Sequence, residues 1–290
     1  MFPEIDTLNL VVAALLVAAA MQAAWNLSVR ASSSPFLTIC EINATVGLLA
    51  VPVLLAAGLP SAPALPWIAA AIGVRQAYYA TVVLAYRNAE FGLIYPIMRG
   101  LNPLFITALG VAFLGDAISL GLLCGIALVV VGIVASATSR STGRACPHLA
   151  SLGLGLVTSA QVSVFTLLDG VGVRSIEGTS ALSYASTMAV CDGMISLLVA
   201  TAYRFRMRAP PLGAQIRYNL MGGALAGLSF WIGIWAISIA PLGLVSAIRE
   251  SSILFAVGLS TWLLKEPLTA GRAVGSILIL LGIVVIKFVT

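Results

Sequence analysis

A shift of 150 residues lays the second half of the chain on the first. Phe105 falls on Phe255, Leu114 on Leu264, Asp116 on Glu266 and Ser119 on Thr269. Gly125 falls on Gly275, and Gly132-Ile-Val134 on Gly282-Ile-Val284. Arg99 meets Arg249, so the interval from arginine to phenylalanine is kept as well, and at a smaller shift Gln22 falls near Gln161. The repeat unit is set by the apolar segments, because a helix that crosses a bilayer needs about 20 apolar residues. Ten such segments are present: Leu8–Leu27, Phe36–Ala57, Trp67–Tyr86, Gly92–Leu114, Ile118–Ala137, Leu149–Leu168, Ser180–Ala202, Arg217–Ala240, Gly243–Leu264 and Ala270–Val289. Each unit therefore holds five spans. An odd number sends the second copy into the membrane upside down, and the two copies are then related by a pseudo-two-fold axis in the membrane plane. Many secondary transporters are built this way, with the solute site at the repeat interface near the midplane. The expected fold class is an all-α integral membrane protein, with ten transmembrane helices in two inverted five-helix repeats around a central cavity. Residues 1–138 would form the first repeat, 139–148 a connecting loop and 149–290 the second repeat.

Composition agrees. The chain is 60% hydrophobic and 9% charged, with mean hydropathy +1.08, whereas soluble domains carry about 25% charged residues. The net charge of +5 does not point to nucleic acid, because the basic residues sit at segment ends. It fits loops that face anionic membrane lipid. The start, Met-Phe-Pro-Glu-Ile-Asp, lacks the basic region of a signal peptide, and the first apolar segment is too long for one, so it reads as a retained span. Of four cysteines, Cys40, Cys124 and Cys191 lie in apolar segments and Cys146 in a loop. They show no metal spacing and read as small core-filling residues, and no cofactor is expected.

Orientation follows from the loops. Odd-numbered loops hold Arg30, Arg87, Arg140, Arg144, Arg204, Arg206, Arg208, Arg217, Lys265 and Arg272, against Arg174 and Lys287 elsewhere. That asymmetry places the odd loops in the cytoplasm and both termini outside.

Leu263-Leu-Lys-Glu-Pro-Leu-Thr269 followed by Gly275-Ser-Ile-Leu-Ile-Leu-Leu-Gly-Ile283 resembles the repeat-end signature of the drug/metabolite transporter superfamily, EamA branch. Phe113-Leu-Gly-Asp-Ala-Ile-Ser119 with Gly125 and Gly132 is its first copy, with Ala117 where the second has Pro267. The resemblance spans the whole chain, looks most like the bacterial amino-acid exporters of the YddG type, and so implies a bacterial inner membrane. It implies a ten-helix basket whose cavity is lined by spans 1, 3, 4, 6, 8 and 9, with spans 5 and 10 as outer support. Four-span relatives couple drugs to protons through a glutamate in the first span. The corresponding regions here read Met21-Gln22 and Ala160-Gln161, which departs from that pattern.

The candidate site residues lie in the broken and aromatic stretches. Tyr95-Pro-Ile-Met-Arg-Gly-Leu-Asn-Pro-Leu-Phe105 carries an arginine, two prolines and a glycine inside an apolar span. Pro96 and Pro103 each remove a backbone donor and Gly100 loosens the helix, so the stretch should face a cavity rather than lipid. An arginine at mid-helix costs about 2.5–3.5 kcal/mol on insertion scales. Arg99 and Arg249 therefore read as contacts for a substrate carboxylate or as partners in alternating gates, with a fixed structural pair as the bland alternative. Glu250 projects about 100° from Arg249 around the helix. Tyr95 and Arg99 share a face, with Asn102 a turn on. Arg75 with Tyr78 and Tyr79 reads as a polar-aromatic cavity wall or as a packed cation–π cluster. Gln22 with Trp25, Gln161 with Phe165, and Trp231 with Trp235 are further wall candidates, though aromatics at helical spacing are often packing residues. Glu41 reads as a snorkelling acid, and Asp192 as an acid that needs a partner. His148 lies in a loop and reads as a surface residue.

The function expected is a secondary transporter that exports small metabolites, most readily neutral or aromatic amino acids. Spans 3 and 4 would rock against spans 8 and 9, with Pro96, Gly100 and Pro103 bending one side and Gly243 beyond Pro241 the other. The expected partners are a small-molecule substrate and membrane lipid, with the chain acting as a monomer. A lipophilic-cation exporter of the same superfamily is the alternative. Phosphorylated solutes fit less well, because no clustered lysines are buried. An intramembrane enzyme would need paired catalytic acids, a Ser-His or Cys-His set, or metal ligands, and no such motif is present.

Overall fold

A computed structural model describes residues 5–30, 32, 34–88, 101–138, 149–174, 177–207, 216–263 and 270–289. These form eleven α-helices: α1 (Ile5–Arg30), α2 (Pro35–Ala57), α3 (Leu65–Asn88), α4 (Asn102–Leu114), α5 (Leu120–Thr138), α6 (Leu149–Arg174), α7 (Ala181–Met207), α8 (Ile216–Ile239), α9 (Leu242–Arg249), α10 (Ser252–Leu263) and α11 (Ala270–Val289). No strand occurs among the described residues. Five of the helices, α1, α2, α6, α7 and α8, are long and apolar enough to cross a membrane, and α4, α5 and α11 contribute shorter apolar stretches. Large apolar side chains face outward at high exposure, among them Leu55 at 81%, Leu120 at 78% and Phe113 at 69%. Soluble monomers rarely present so broad an apolar surface, whereas a multi-pass membrane protein presents it to lipid.

Helices do not gain a hydrophobic drive from meeting one another in lipid. They associate by close packing and interhelical hydrogen bonds. The main pairs among the described residues are α5 with α11, α2 with α7, α3 with α6, and α1 with α8. Exchanging the halves maps this set onto itself: α1 becomes α6 and α3 becomes α8, so α1–α8 turns into α6–α3, while α2–α7 and α5–α11 each turn into themselves. That is the signature of a two-fold axis between the halves. The backbone contacts obey it. A Cβ on Gly125 would lie 2.7 Å from the Gly282 carbonyl oxygen, one on Gly282 would lie 2.6 Å from that of Gly125, and one on Gly132 would lie 2.7 Å from that of Gly275. On α2 and α7, a Cβ on Gly47 would lie 2.9 Å from the Cα of Gly193. These crossings exist because hydrogen is the only side chain that fits there.

The ninth span differs from expectation. It is not one helix from Gly243 to Leu264 but two, α9 and α10, divided at Glu250–Ser251. The bend beyond Pro241 only starts α9. The break itself is bridged by short turns, in which the Ser251 N–H donates to the Ile248 carbonyl at 3.0 Å and the Ile253 N–H donates to that of Glu250 at 3.0 Å. Pro103 is likewise a helix starter, lying in the first turn of α4, where a missing N–H costs nothing. α6 runs to Arg174, well past the expected end at Leu168. Of the cysteines in apolar segments only Cys40 is a core residue, whereas Cys124 and Cys191 are exposed on the outer surface.

The even-numbered connections are tied together. Gly115 takes a left-handed conformation, φ 65°, and ends α4. The turn lets the Asp116 N–H donate to the Gly110 carbonyl at 3.1 Å. The Asp116 carboxylate then pairs with Arg174 and accepts the Leu242 N–H at 2.7 Å, at the start of α9. Arg174 also donates to the carbonyls of Ile237 and Ala240 at the end of α8. Those carbonyls are orphans of a helix end, and Pro241 has no N–H with which to serve Ile237. The Ser61 N–H and hydroxyl meet the Thr179 hydroxyl at 3.3 and 2.7 Å. At the opposite end, Glu41 on α2 is not simply snorkelling, because it pairs with Arg204 from the end of α7 and accepts from Asn219 on α8.

Candidate functional site

The helices enclose a cavity of about 220 Å³. Its walls come from α1 (Gln22, Trp25), α2 (Asn43), α3 (Arg75, Tyr78, Tyr79), α4 (Asn102), α6 (Phe165, Asp169), α7 (Met188, Asp192), α8 (Ser229, Phe230), α9 (Ser246, Arg249) and the break residue Glu250. Three polar groupings share it with an aromatic surface.

In the first, Arg75 Nη2 lies 3.2 Å from Asp169 Oδ2. Its guanidinium carbon sits 4.6 Å from the centre of the Phe165 ring and 5.2 Å from that of Phe230. Tyr184 donates its hydroxyl to Asp169 Oδ1 at 3.3 Å. Taking two charges out of water is repaid only when the pair is also hydrogen-bonded, and here the aromatic faces and the tyrosine contribute. Arg75 is thus both a packed cation–π residue and part of the cavity wall.

In the second, Gln76 Nε2 donates to Asp192 Oδ1 at 2.7 Å, and the Tyr79 hydroxyl approaches Oδ2 at 3.5 Å. Asn43 Nδ2 in turn donates to the Tyr79 oxygen at 3.0 Å. The hydrogen-bond partners of Asp192 among the described residues are therefore a neutral amide and a phenol. Tyr78 packs edge-on against Phe165, with ring centres 5.8 Å apart.

In the third, Arg249 Nη2 donates to Gln22 Oε1 at 3.2 Å, joining α9 to α1. Asn102 Nδ2 donates to Ser246 Oγ at 2.9 Å, while Ser163 Oγ donates to Asn102 Oδ1 at 2.9 Å. Asn102 thereby joins α4, α6 and α9 just at the start of α4.

Of the residues singled out from sequence, the structure brings Gln22, Trp25, Tyr78, Tyr79, Asn102, Phe165, Arg249 and Glu250 to this one cavity. Trp231 and Trp235 are placed elsewhere. With Ala181, Leu182 and Ile232 they line a separate apolar depression between α7 and α8, and Trp231 Nε1 donates to Ser186 Oγ at 3.2 Å. Gln161 also stands off the cavity, and its Oε1 is buried without a hydrogen-bond partner among the described residues. Pro103 is buried at the start of α4. Tyr95, Pro96, Arg99 and Gly100 lie outside the described residues. Sequence reasoning missed Asp169, because it ended the sixth span one residue short of it, and it missed Gln76, Asn43 and Phe230. An acid one residue beyond a presumed span end, with a mid-span arginine in need of a counter-charge, was the available signal for Asp169.

Comparison with known proteins bears on just under half of the chain directly. Residues 149–288 match the EamA-like transporter family. This EamA-like stretch holds α6 to α11 and so supplies Asp169, Asp192 and Arg249. A solved structure titled only as the crystal structure of a protein superposes with a TM-score of 0.77. It is 16% identical, and the match covers 97% of this chain and 96% of that one. The likeness therefore carries the fold from end to end, including the half outside the family match. No curated protein matches the sequence.

Proposed function

We propose that the whole chain is a secondary transporter of the drug/metabolite transporter superfamily and that it exports small zwitterionic metabolites, above all neutral or aromatic amino acids, by alternating access. The observation that carries the reading is that groups of both charge signs line one small cavity beside an aromatic wall. Arg75 and Arg249 stand with Asp169, Asp192 and Glu250, and Trp25, Tyr78, Phe165 and Phe230 supply the apolar surface. A zwitterion needs a cation for its carboxylate and an acceptor for its ammonium, and a planar side chain lies well against rings. The volume, about 220 Å³, is below the range of about 300–1,000 Å³ typical of drug-sized ligands. The break at Glu250–Ser251 places Arg249 where irregular backbone meets the cavity, as in other transporters with discontinuous helices. The two halves would rock about their shared axis, alternating the side on which the cavity opens.

The test is uptake into proteoliposomes across a panel of amino acids. Arg249→Ala is expected to abolish transport while the protein still inserts, and an unchanged rate would overturn its role. The three cavity acids favour a second reading, export of lipophilic cations. Competition by such cations, with no competition from amino acids, would select it.

A further inference from the structure

The cavity holds two buried aspartates in unlike company. Asp169, 2% exposed, is bound to the Arg75 guanidinium and to the Tyr184 hydroxyl. Asp192, 7% exposed, has neutral donors among the described residues, Gln76 and Tyr79. A guanidinium hydrogen-bonded to a carboxylate compensates its charge, whereas amides and phenols compensate a buried carboxylate less and can also partner its neutral form.

We propose that Asp192 is the proton-binding site of this cavity and that Asn43, Tyr79 and Gln76 form the frame that accommodates both of its protonation states. In the charged state the hydrogen bonds run toward the carboxylate: Asn43 Nδ2 to the Tyr79 oxygen at 3.0 Å, the Tyr79 hydroxyl toward Oδ2 at 3.5 Å, and Gln76 Nε2 to Oδ1 at 2.7 Å. A hydronium ion of the cavity water gives its proton to Oδ2, forming the new O–H bond and leaving water. The acid then donates to the Tyr79 oxygen. The tyrosine hydrogen turns toward Asn43, whose amide flips to present Oδ1, and Gln76 keeps its bond to Oδ1 of the acid. The oxygens of Asp192 and Tyr79 keep a partner in both states, because amides and hydroxyls can serve in either sense. The 3.5 Å separation from Tyr79 leaves room for the added hydrogen to draw the two oxygens together.

The surroundings are consistent with this assignment. The titratable and charged groups that act on Asp192 are Cys40 on α2, Arg75 and Tyr79 on α3, Asp169 on α6 and its own neighbour Cys191. Arg75 is the one cation in that set, and it spends its Nη2 on Asp169. The described side chains of α8, packed against α7, bring no charge. Asp192 lies in the seventh span, so a proton carried here replaces nothing at Gln22 or Gln161 and needs no acid in the first or sixth. The consequence, which rests on the transporter reading, is that one proton enters for each zwitterion that leaves.

Infrared difference spectra of the full chain in lipid nanodiscs, recorded between alkaline and acidic pH, test the site without any solute. The wild type should gain one carbonyl stretch of a buried carboxylic acid on acidification. Asp192→Asn should lose that band, Asp169→Asn should keep it, and Tyr79→Phe should keep it at a shifted midpoint. A band that survives Asp192→Asn, or that vanishes only in Asp169→Asn, overturns the assignment. If the asparagine variant does not fold, the Tyr79→Phe midpoint decides, and an unmoved midpoint counts against the proposal. In wild-type proteoliposomes loaded with L-phenylalanine, one-for-one exchange predicts an accumulation ratio that changes about tenfold per pH unit of imposed gradient. Equal accumulation with and without the gradient overturns the coupling. Failure to move any amino acid would instead count against the proposed substrate and leave the infrared result standing.

Discussion

The α5–α11 pair and the cavity are two parts of one repeat, and they have treated its symmetry in opposite ways. Along α5 and α11 the halves still match residue for residue: Gly125 meets Gly282, and Gly132 meets Gly275. In the cavity the match is gone. Arg75 on α3 faces Asp169 on α6. At the equivalent crossing of α1 and α8 the described residues show a hydroxyl bond, Ser229 Oγ to the Ala18 carbonyl at 2.8 Å. Both buried aspartates, Asp169 and Asp192, belong to the second half. The contrast has a physical reason. Two helices that touch by backbone tolerate almost no change on either side, so their contacts stay paired. A solute has no two-fold symmetry, so a cavity that binds it from one orientation gains by placing each charge once.

Several substitutions would sharpen or break this contrast. The largest effect is expected at the matched crossings. Gly193→Leu drives side-chain atoms into α2, since even a Cβ there would lie 2.7 Å from the Gly47 Cα. Overpacking costs about 1–3 kcal/mol where side chains can shift; here backbone stands in the way and cannot yield, so the native packing itself should be lost. Size-exclusion chromatography should show loss of the monodisperse protein. Next comes Asp169→Asn, which leaves the Arg75 guanidinium buried without its counter-charge. Removing one partner of a buried pair costs about 3–5 kcal/mol, read as a drop in Tm in detergent. Asp192→Asn exchanges one acceptor for another beside Gln76, and should cost no more than about 1.5 kcal/mol. Equal losses at the two aspartates would erase the distinction between them. The smallest effect is expected at Ser61→Ala, which removes the hydroxyl bond to Thr179 and should cost about 0.5–1.5 kcal/mol. A Tm unchanged there would show that the even-numbered connections are held by Arg174 and Asp116 alone.

The architecture was legible because it rests on span length and on the 150-residue shift, both of which are written along the chain. That several of the residues singled out, Arg75 and Asp192 among them, would meet at one cavity was legible for a related reason, since a polar or aromatic side chain at mid-span has few places to go. What the sequence withheld were the partners. Arg174 looked like a loop residue because its role depends on Pro241, which leaves the Ile237 carbonyl orphaned on another helix. Asp169 lay beyond a span end drawn by hydropathy. Trp231 and Trp235 fit the four-residue spacing of a cavity wall, yet they face the α7–α8 depression, because periodicity gives a helix face but not the direction in which that face is turned. The division of the ninth span was masked because the apolar stretches that flank Arg249-Glu-Ser-Ser252 together have the length of a single span.

The cross-pairing of the halves also governs how the molecule can be made. α1, α2 and α3 find their main neighbours in α8, α7 and α6, all of which leave the ribosome later. The early helices must therefore wait in the bilayer as loosely associated rods until the late ones arrive. The two halves expressed as separate polypeptides should find one another and assemble, while the first half made alone should remain a substrate for membrane proteases.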